Sequence, residues 1–250
     1  MKLPNYKMII CFIIFAVAVS AQENDAVWKE ACEAYDKADY QLAISKLSIL
    51  RERGIENPEL YYNLGNSYFK AKNLGMAIWS FRRSLKLESN FKPASNNLEM
   101  ARSLNLDQQL NQGKGFIAEL WGKITGLLTL NEFLILFTIS WLIIATLLTL
   151  IIIRKYNAAV RYYLLIVMTI IAIFSLVAII DKNVVRNTRY GVLVIPSADI
   201  REGPSGSFEK IEVLHEGSEF KIISEREDNI LIELQNSLKG WLPKQAVFEI

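Results

Sequence analysis

Apolar and polar positions alternate along this chain in four different ways, and each predicts a different kind of element. Residues 8–19 are apolar and follow Lys2 and Lys7. From Ala26 to about Leu110 apolar side chains recur three and four apart among charges, the period of half-buried helices. Residues 133–153 and 162–180 are two runs of 21 and 19 residues without Asp, Glu, Lys, Arg or His. About 20 such residues cover the hydrocarbon core of a bilayer. Beyond Tyr190 the pattern shortens to stretches of 5 or 6 residues that alternate or run apolar, divided by Gly, Pro and charges, as in small antiparallel β folds.

The first of these segments, 1–21, ends in small residues at Val19-Ser20-Ala21 and reads as a secretory signal peptide. The two long runs read as a transmembrane hairpin. Its connector, 154–161, carries Arg154, Lys155 and Arg161 and no acid, which assigns it to the cytoplasm and both flanking regions to the other side. Before the hairpin, 115–131 reads as an interfacial amphipathic helix with Phe116, Ile117, Leu120, Trp121, Ile124, Leu127 and Leu128 on one face. Asn131 and Glu132 suit the cap and first turn of the following span. Thr138, Ala145 and Thr149 in one span, and Thr169, Ala172, Ser175 and Ala178 in the other, are small residues that would let the two helices approach. Asp181 to Thr188 reads as a short polar exit.

Within 24–112 the sequence matches itself at an offset of 34: Ala31 with Gly65, Tyr35 with Phe69, Tyr40 with Leu74, Ala43 with Ala77, Ile44 with Ile78 and Leu47 with Phe81. With Tyr61-Tyr62-Asn63-Leu64-Gly65-Asn66-Ser67-Tyr68 and then Ala77, Phe81 and Leu85, this resembles the tetratricopeptide repeat. Two units and a capping helix after Pro93 are expected. The first helices of such units line an inner face, here Trp28, Cys32, Tyr35, Tyr62, Asn66, Phe69, Lys70 and Asn96. Aromatics with amides in a row suit an extended peptide or a partner helix. Cys32 by itself is expected as a small packed side chain.

Ile200-Arg201-Glu202-Gly203-Pro204-Ser205, Leu214-His215-Glu216-Gly217 and Gly240-Trp241-Leu242-Pro243, in this order within 189–250, resemble the bacterial SH3-type domain. The resemblance implies a small barrel whose groove would be lined by Arg201, Phe208 and Trp241, with Asn229 standing where many relatives carry an aromatic residue.

Charge changes the picture little. Residues 22–112 carry 12 basic and 12 acidic side chains, and 181–250 carry 9 and 12, so neither region has the excess of cations that nucleic acid requires. His215, the sole histidine, reads as a surface residue beside a turn. No nucleophile context, metal-ligand spacing or phosphate loop accompanies it, so no catalytic residue, metal or cofactor is expected.

The fold class expected is thus a multidomain membrane protein: an all-α repeat stack, a two-helix transmembrane hairpin and an all-β SH3-like barrel. This order of parts resembles the BatE proteins of bacterial aerotolerance operons, encoded beside membrane proteins with von Willebrand A-type domains. What the resemblance implies is an inner-membrane scaffold with both soluble regions periplasmic and those operon products as partners. Peptidoglycan bound by the SH3-like region is the alternative.

Overall fold

The computed structural model describes residues 22–107, 116–152 and 158–250. The expected signal peptide and residues 154–157 of the hairpin connector lie outside these residues. The described residues divide into two compact units, one formed by 22–107 together with 190–250 and the other by 116–152 and 158–189.

Among the described residues the first unit contains five α-helices and a sheet. Helix α1 covers residues 22–36, followed by α2 (Tyr40–Glu52), α3 (Pro58–Lys70), α4 (Leu74–Leu87) and α5 (Lys92–Ser103). The turns repeat at the offset of 34 seen in the sequence. Ala38 and Lys72 both take positive φ, 59° and 62°. Asp39 and Asn73 then cap α2 and α4 by accepting from the backbone N–H of Leu42 and Met76. Asn57 caps α3, with Pro58 at the position where a missing N–H costs nothing. Between α3 and α4 the small residue is required, because a Cβ on Gly65 would lie 2.5 Å from the ring of fully buried Phe81.

The seven strands are β1 (Tyr190–Leu193), β2 (Ser197–Arg201), β3 (Lys210–His215), β4 (Glu219–Arg226), β5 (Asn229–Glu233), β6 (Lys239–Pro243) and β7 (Val247–Glu249). They form one antiparallel sheet in the order β3-β2-β6-β5-β4-β1-β7. Leu193, Ile200, Leu214, Phe220, Ile232 and Leu242 fill its core. Strand β1 is buried on both faces. Leu193 points into the sheet core, whereas Val192 joins the core of the helices with Ala77, Ile78 and Trp79. That is why this strand reads as an uninterrupted apolar run while β5 alternates. The helices and the sheet, widely separated in sequence, therefore share one head.

The second unit contains α6 (Phe116–Gly126), α7 (Leu130–Ile152) and α8 (Ala158–Asn187). Both α7 and α8 are long and apolar enough to cross a membrane, and only 11% and 17% of their most apolar windows is buried within the chain. Their apolar surface thus faces outward. Four local expectations are corrected. The cap of α7 is Thr129, not Asn131: Thr129 Oγ1 accepts from Glu132 N and Glu132 Oε2 accepts from Thr129 N, a reciprocal capping box. Helix α6 stops at Gly126, short of the expected 115–131. Its Trp121 donates to Asp181 Oδ2 at 3.2 Å and meets the Phe174 ring edge-on, while Leu120, Ile124 and Leu127 are exposed. Residues 158–161 and 181–187, expected as connector and polar exit, are helical parts of α8.

The seam between α7 and α8 also differs from expectation on one side. On α8, Ala172, Ser175 and Ala178 are buried as small residues in a helix contact should be. On α7 the buried positions are Phe133, Ser140 and Leu147, seven apart, and Thr138, Ala145 and Thr149 are exposed. The hydroxyls of Thr138 and Thr149 donate to the carbonyls of Leu134 and Ala145 in the turn before, which satisfies them without a partner helix.

Candidate functional site

Helices α1 and α3 enclose a depression of about 180 Å³. Its walls are Ala31, Cys32, Tyr35 and Asp36 on α1 and Asn63 and Ser67 on α3, positions that share a face at helical spacing, with Leu47 of α2 also in its lining. Ser67 donates to the Asn63 carbonyl at 2.8 Å, so its hydroxyl is oriented. Burial, with Tyr40, Tyr62 and Asp36 nearby, pushes the Tyr35 phenol up, and it stays a neutral hydrogen-bond donor. Burial and Asp36 push the Cys32 thiol up as well, which keeps it a poor nucleophile. Cys32 is exposed at this rim, not packed within a helix contact as expected, because the neighbouring Ala31 takes the inward position. Neutral donors and acceptors with a single carboxylate can hold an extended backbone or a polar side chain.

The expected row of aromatics is placed differently from residue to residue. Tyr35 lines the depression, whereas Trp28, Tyr62 and Phe69 are half-buried against the helical core, and Tyr62 meets Phe91 edge-on at 5.5 Å. Asn66 accepts from Asn97 at 2.7 Å, while Asn96 and Lys70 are exposed. Asn63 and Ser67 were not singled out by sequence. The alignment at offset 34 pairs them with Lys29 and Glu33, residues of a different kind, so the repeat signal passes over them.

A second depression, of about 310 Å³, opens on the sheet and includes Asp199, Arg201, Asn229 and Trp241. Most of its charged atoms are already engaged. Arg201 donates to the carbonyls of Gly206 and Phe208 and pairs with Asp199, and Asn229 donates to the Pro204 carbonyl. Both side chains hold the loop from Glu202 to Glu209 in place. A hydrogen bond from Lys210, with the charges of Lys210 and Arg201, keeps the Asp199 carboxyl below its ordinary range. Phe208 does not line this groove. It lies over Gly203, where a Cβ would come within 2.5 Å of the ring.

The helices and the sheet meet through charges that come from distant parts of the sequence. Glu219, at the start of β4, accepts two hydrogen bonds from Arg102 on α5, at 2.5 and 2.8 Å, and pairs with Arg82 on α4 at 3.1 Å. Arg82 also lies over the Tyr190 ring. Glu216 accepts from the Gly75 N–H, and a Cβ on Gly75 would sit 2.5 Å from the Leu193 carbonyl oxygen, so the backbones of α4 and β1 approach as closely as a glycine permits. Trp79 and Lys86 donate to the main-chain oxygens of Glu249 and Ile250. Past α5, an Asx turn from Asn105 positions Asp107, whose carboxylate accepts from the His215 backbone N–H, the His215 ring and the Ser218 hydroxyl. His215 is therefore a junction residue, not a plain surface histidine.

Burial pushes the Asp107 carboxyl up, but the bonds from His215 and Ser218 outweigh it and hold the group below the usual carboxylate range. An aspartate with a depressed folded value stabilises the fold above its unfolded pKa, about 3.9, and loses that contribution as pH falls through the lower folded value. We expect the thermal midpoint of the head, followed by circular dichroism on the detergent-solubilised chain, to drop steeply below about pH 4. In Asp107→Asn the midpoint is lower at pH 7 and the acid drop is shallower. Parallel acid drops in the two proteins would contradict this assignment.

No family model matches this chain, and no curated protein matches it.

Proposed function

We propose that the chain is a membrane-anchored scaffold in which α7 and α8 span the bilayer, the connector with Arg154, Lys155 and Arg161 is cytoplasmic, and the head is extracytoplasmic. In this reading the helical pairs are tetratricopeptide units, supported by the recurrence of the same turn at an offset of 34, and the sheet is of the SH3 type. The partner is a bacterial inner-membrane protein with a von Willebrand A-type domain, as the BatE-like order of parts implies. The observation that carries the proposal is the docking of the sheet on α4 and the end of α5, which leaves the depression between α1 and α3 open. A sheet in that position stiffens the stack without filling its groove.

The test is co-purification of the solubilised full chain with a co-produced membrane protein bearing such a domain. Tyr35→Ala with Asn63→Ala removes an aromatic wall and an amide, and retention is expected to fall at least about tenfold, the scale of one well-placed contact at an interface. Trp241→Ala should leave it unchanged. Equal retention by the groove variant excludes this groove as the binding site, and peptidoglycan binding by the full chain that Trp241→Ala abolishes would move the activity to the sheet.

A further inference from the structure

On the outer side of α2 and α4 the head carries a third and larger depression, of about 470 Å³, that neither groove explains. Its rim is basic and its floor aromatic. Arg51, Arg83 and Lys86 line it together with Glu249 and Ile250, and Tyr61, Trp79 and Phe248 form the rest of the surface. Arg51 lies over the Trp79 ring at 5.7 Å and Arg83 over the Tyr61 ring at 5.7 Å, so both guanidinium groups are held in position by the rings beneath them. Arg83 also pairs with Glu56 at 3.0 Å, Arg51 has Glu52 at 3.9 Å, and Lys86 is anchored on the main-chain oxygen of Ile250. Phe248, at 39% exposure, is the apolar side chain of the rim that water reaches most.

Chain connectivity says what such a surface would meet. Ile250 donates to the Tyr190 carbonyl at 2.9 Å, so the wall formed by β7 lies beside the first residue of β1. The second apolar span ends at Val184, six residues earlier, and α8 continues to Asn187. Six residues reach no further than about 20 Å even when extended. With α8 spanning the bilayer, a tether this short bounds how far β1 and the adjoining β7 can stray from the headgroup layer, which raises the effective concentration of that surface there. Tyr61 and Trp79 are buried beneath the guanidinium groups, so Phe248 is the ring free to meet the apolar boundary of that layer while the cations meet phosphate.

We propose that this depression binds the headgroup of an anionic phospholipid in the leaflet from which α8 emerges, with Arg51, Arg83 and Lys86 around the phosphate and Phe248 at the acyl boundary. The inference rests on α8 spanning the bilayer but not on the groove between α1 and α3 having a partner. The head is then fixed to the membrane at a second point besides the hairpin.

The full chain in neutral detergent micelles is titrated with phosphatidylglycerol or with phosphatidylcholine, and retained lipid is counted by native mass spectrometry. Wild type is expected to retain one more phosphatidylglycerol than the Arg51→Gln/Arg83→Gln/Lys86→Gln variant, the basic connector being common to both. Apparent affinity should weaken about fivefold for each basic side chain removed. Hydrogen exchange localises the site: phosphatidylglycerol should slow the amides of Phe248 and Glu249, and inorganic phosphate at the same concentration should not. Single variants Arg51→Gln and Lys86→Gln, checked for unchanged thermal midpoints, keep the measurement readable if the triple variant unfolds. Equal lipid retention by wild type and these variants, or equal protection by phosphatidylcholine or inorganic phosphate, overturns the proposal.

Discussion

Replacing Glu219 by alanine should open the junction between helices and sheet more readily by about 2 kcal/mol. The carboxylate is nearly buried, with a side-chain exposure of 9%, and it is the shared acceptor for Arg82 and Arg102. Removing one partner of a buried ion pair costs about 3–5 kcal/mol because the remaining charge stays desolvated. Here the cost is smaller, since the two arginines are 29% and 44% exposed and can turn to water. Native-state hydrogen exchange on the solubilised chain reads the effect where it belongs, at the amides of β1 and of the face of α4 that contacts it. Glu219→Gln, which keeps the shape and loses the charge, should fall between wild type and Glu219→Ala. In a double-mutant cycle Arg102→Ala should cost little once Glu219 is gone. Full additivity of the two substitutions would show that the pair does not act as a unit.

The larger loss is expected from Phe81→Ala, about 3–5 kcal/mol, the usual cost of deleting a fully buried phenylalanine. Phe81 is 1% exposed and fills the space left by the missing side chain of Gly65. The two positions are therefore coupled. Gly65→Ala alone forces a methyl to 2.5 Å from the ring, an overpacking worth about 1–3 kcal/mol, against a gain of up to about 1 kcal/mol in helix propensity. Combined with Phe81→Leu, the added methyl gains room, so the double variant should lose less than the sum of the two single changes. Urea unfolding followed at the far-ultraviolet helix band measures all four proteins. Strict additivity would mean that the two helices do not meet where these residues place them.

Both substitutions test contacts of different legibility. Gly65 and Phe81 stand out in the sequence, because the offset of 34 aligns them with Ala31 and Leu47 and a helical pair must bring a small and a large residue together at each crossing. Glu219 does not stand out. It is one of 12 acidic residues in 181–250, and nothing nearby distinguishes it from those that face water. The candidate groove lies between these extremes. Tyr35 was legible as part of a repeat face, but Asn63 and Ser67 enter the groove through the angle at which α1 and α3 pack, which local spacing does not encode. Arg201 was legible as a groove residue, yet its donors are spent on the carbonyls of Gly206 and Phe208.

By itself the sequence determined the elements and their order: paired helices from a 34-residue self-match, two long apolar helices from uninterrupted runs, and short strands from alternation between turn residues. Each of these follows from periodicity and local turn chemistry, which act over a few residues. Only the tertiary structure decided that the helices and the sheet form one head, that β1 is buried on both faces, and that Asp107 meets Ser218 and Arg102 meets Glu219 across 111 and 117 residues. The physical reason is that a charge that will be covered by a partner carries the same local pattern as a charge that stays in water. Its role exists only once the chain on the far side of the hairpin has folded against it.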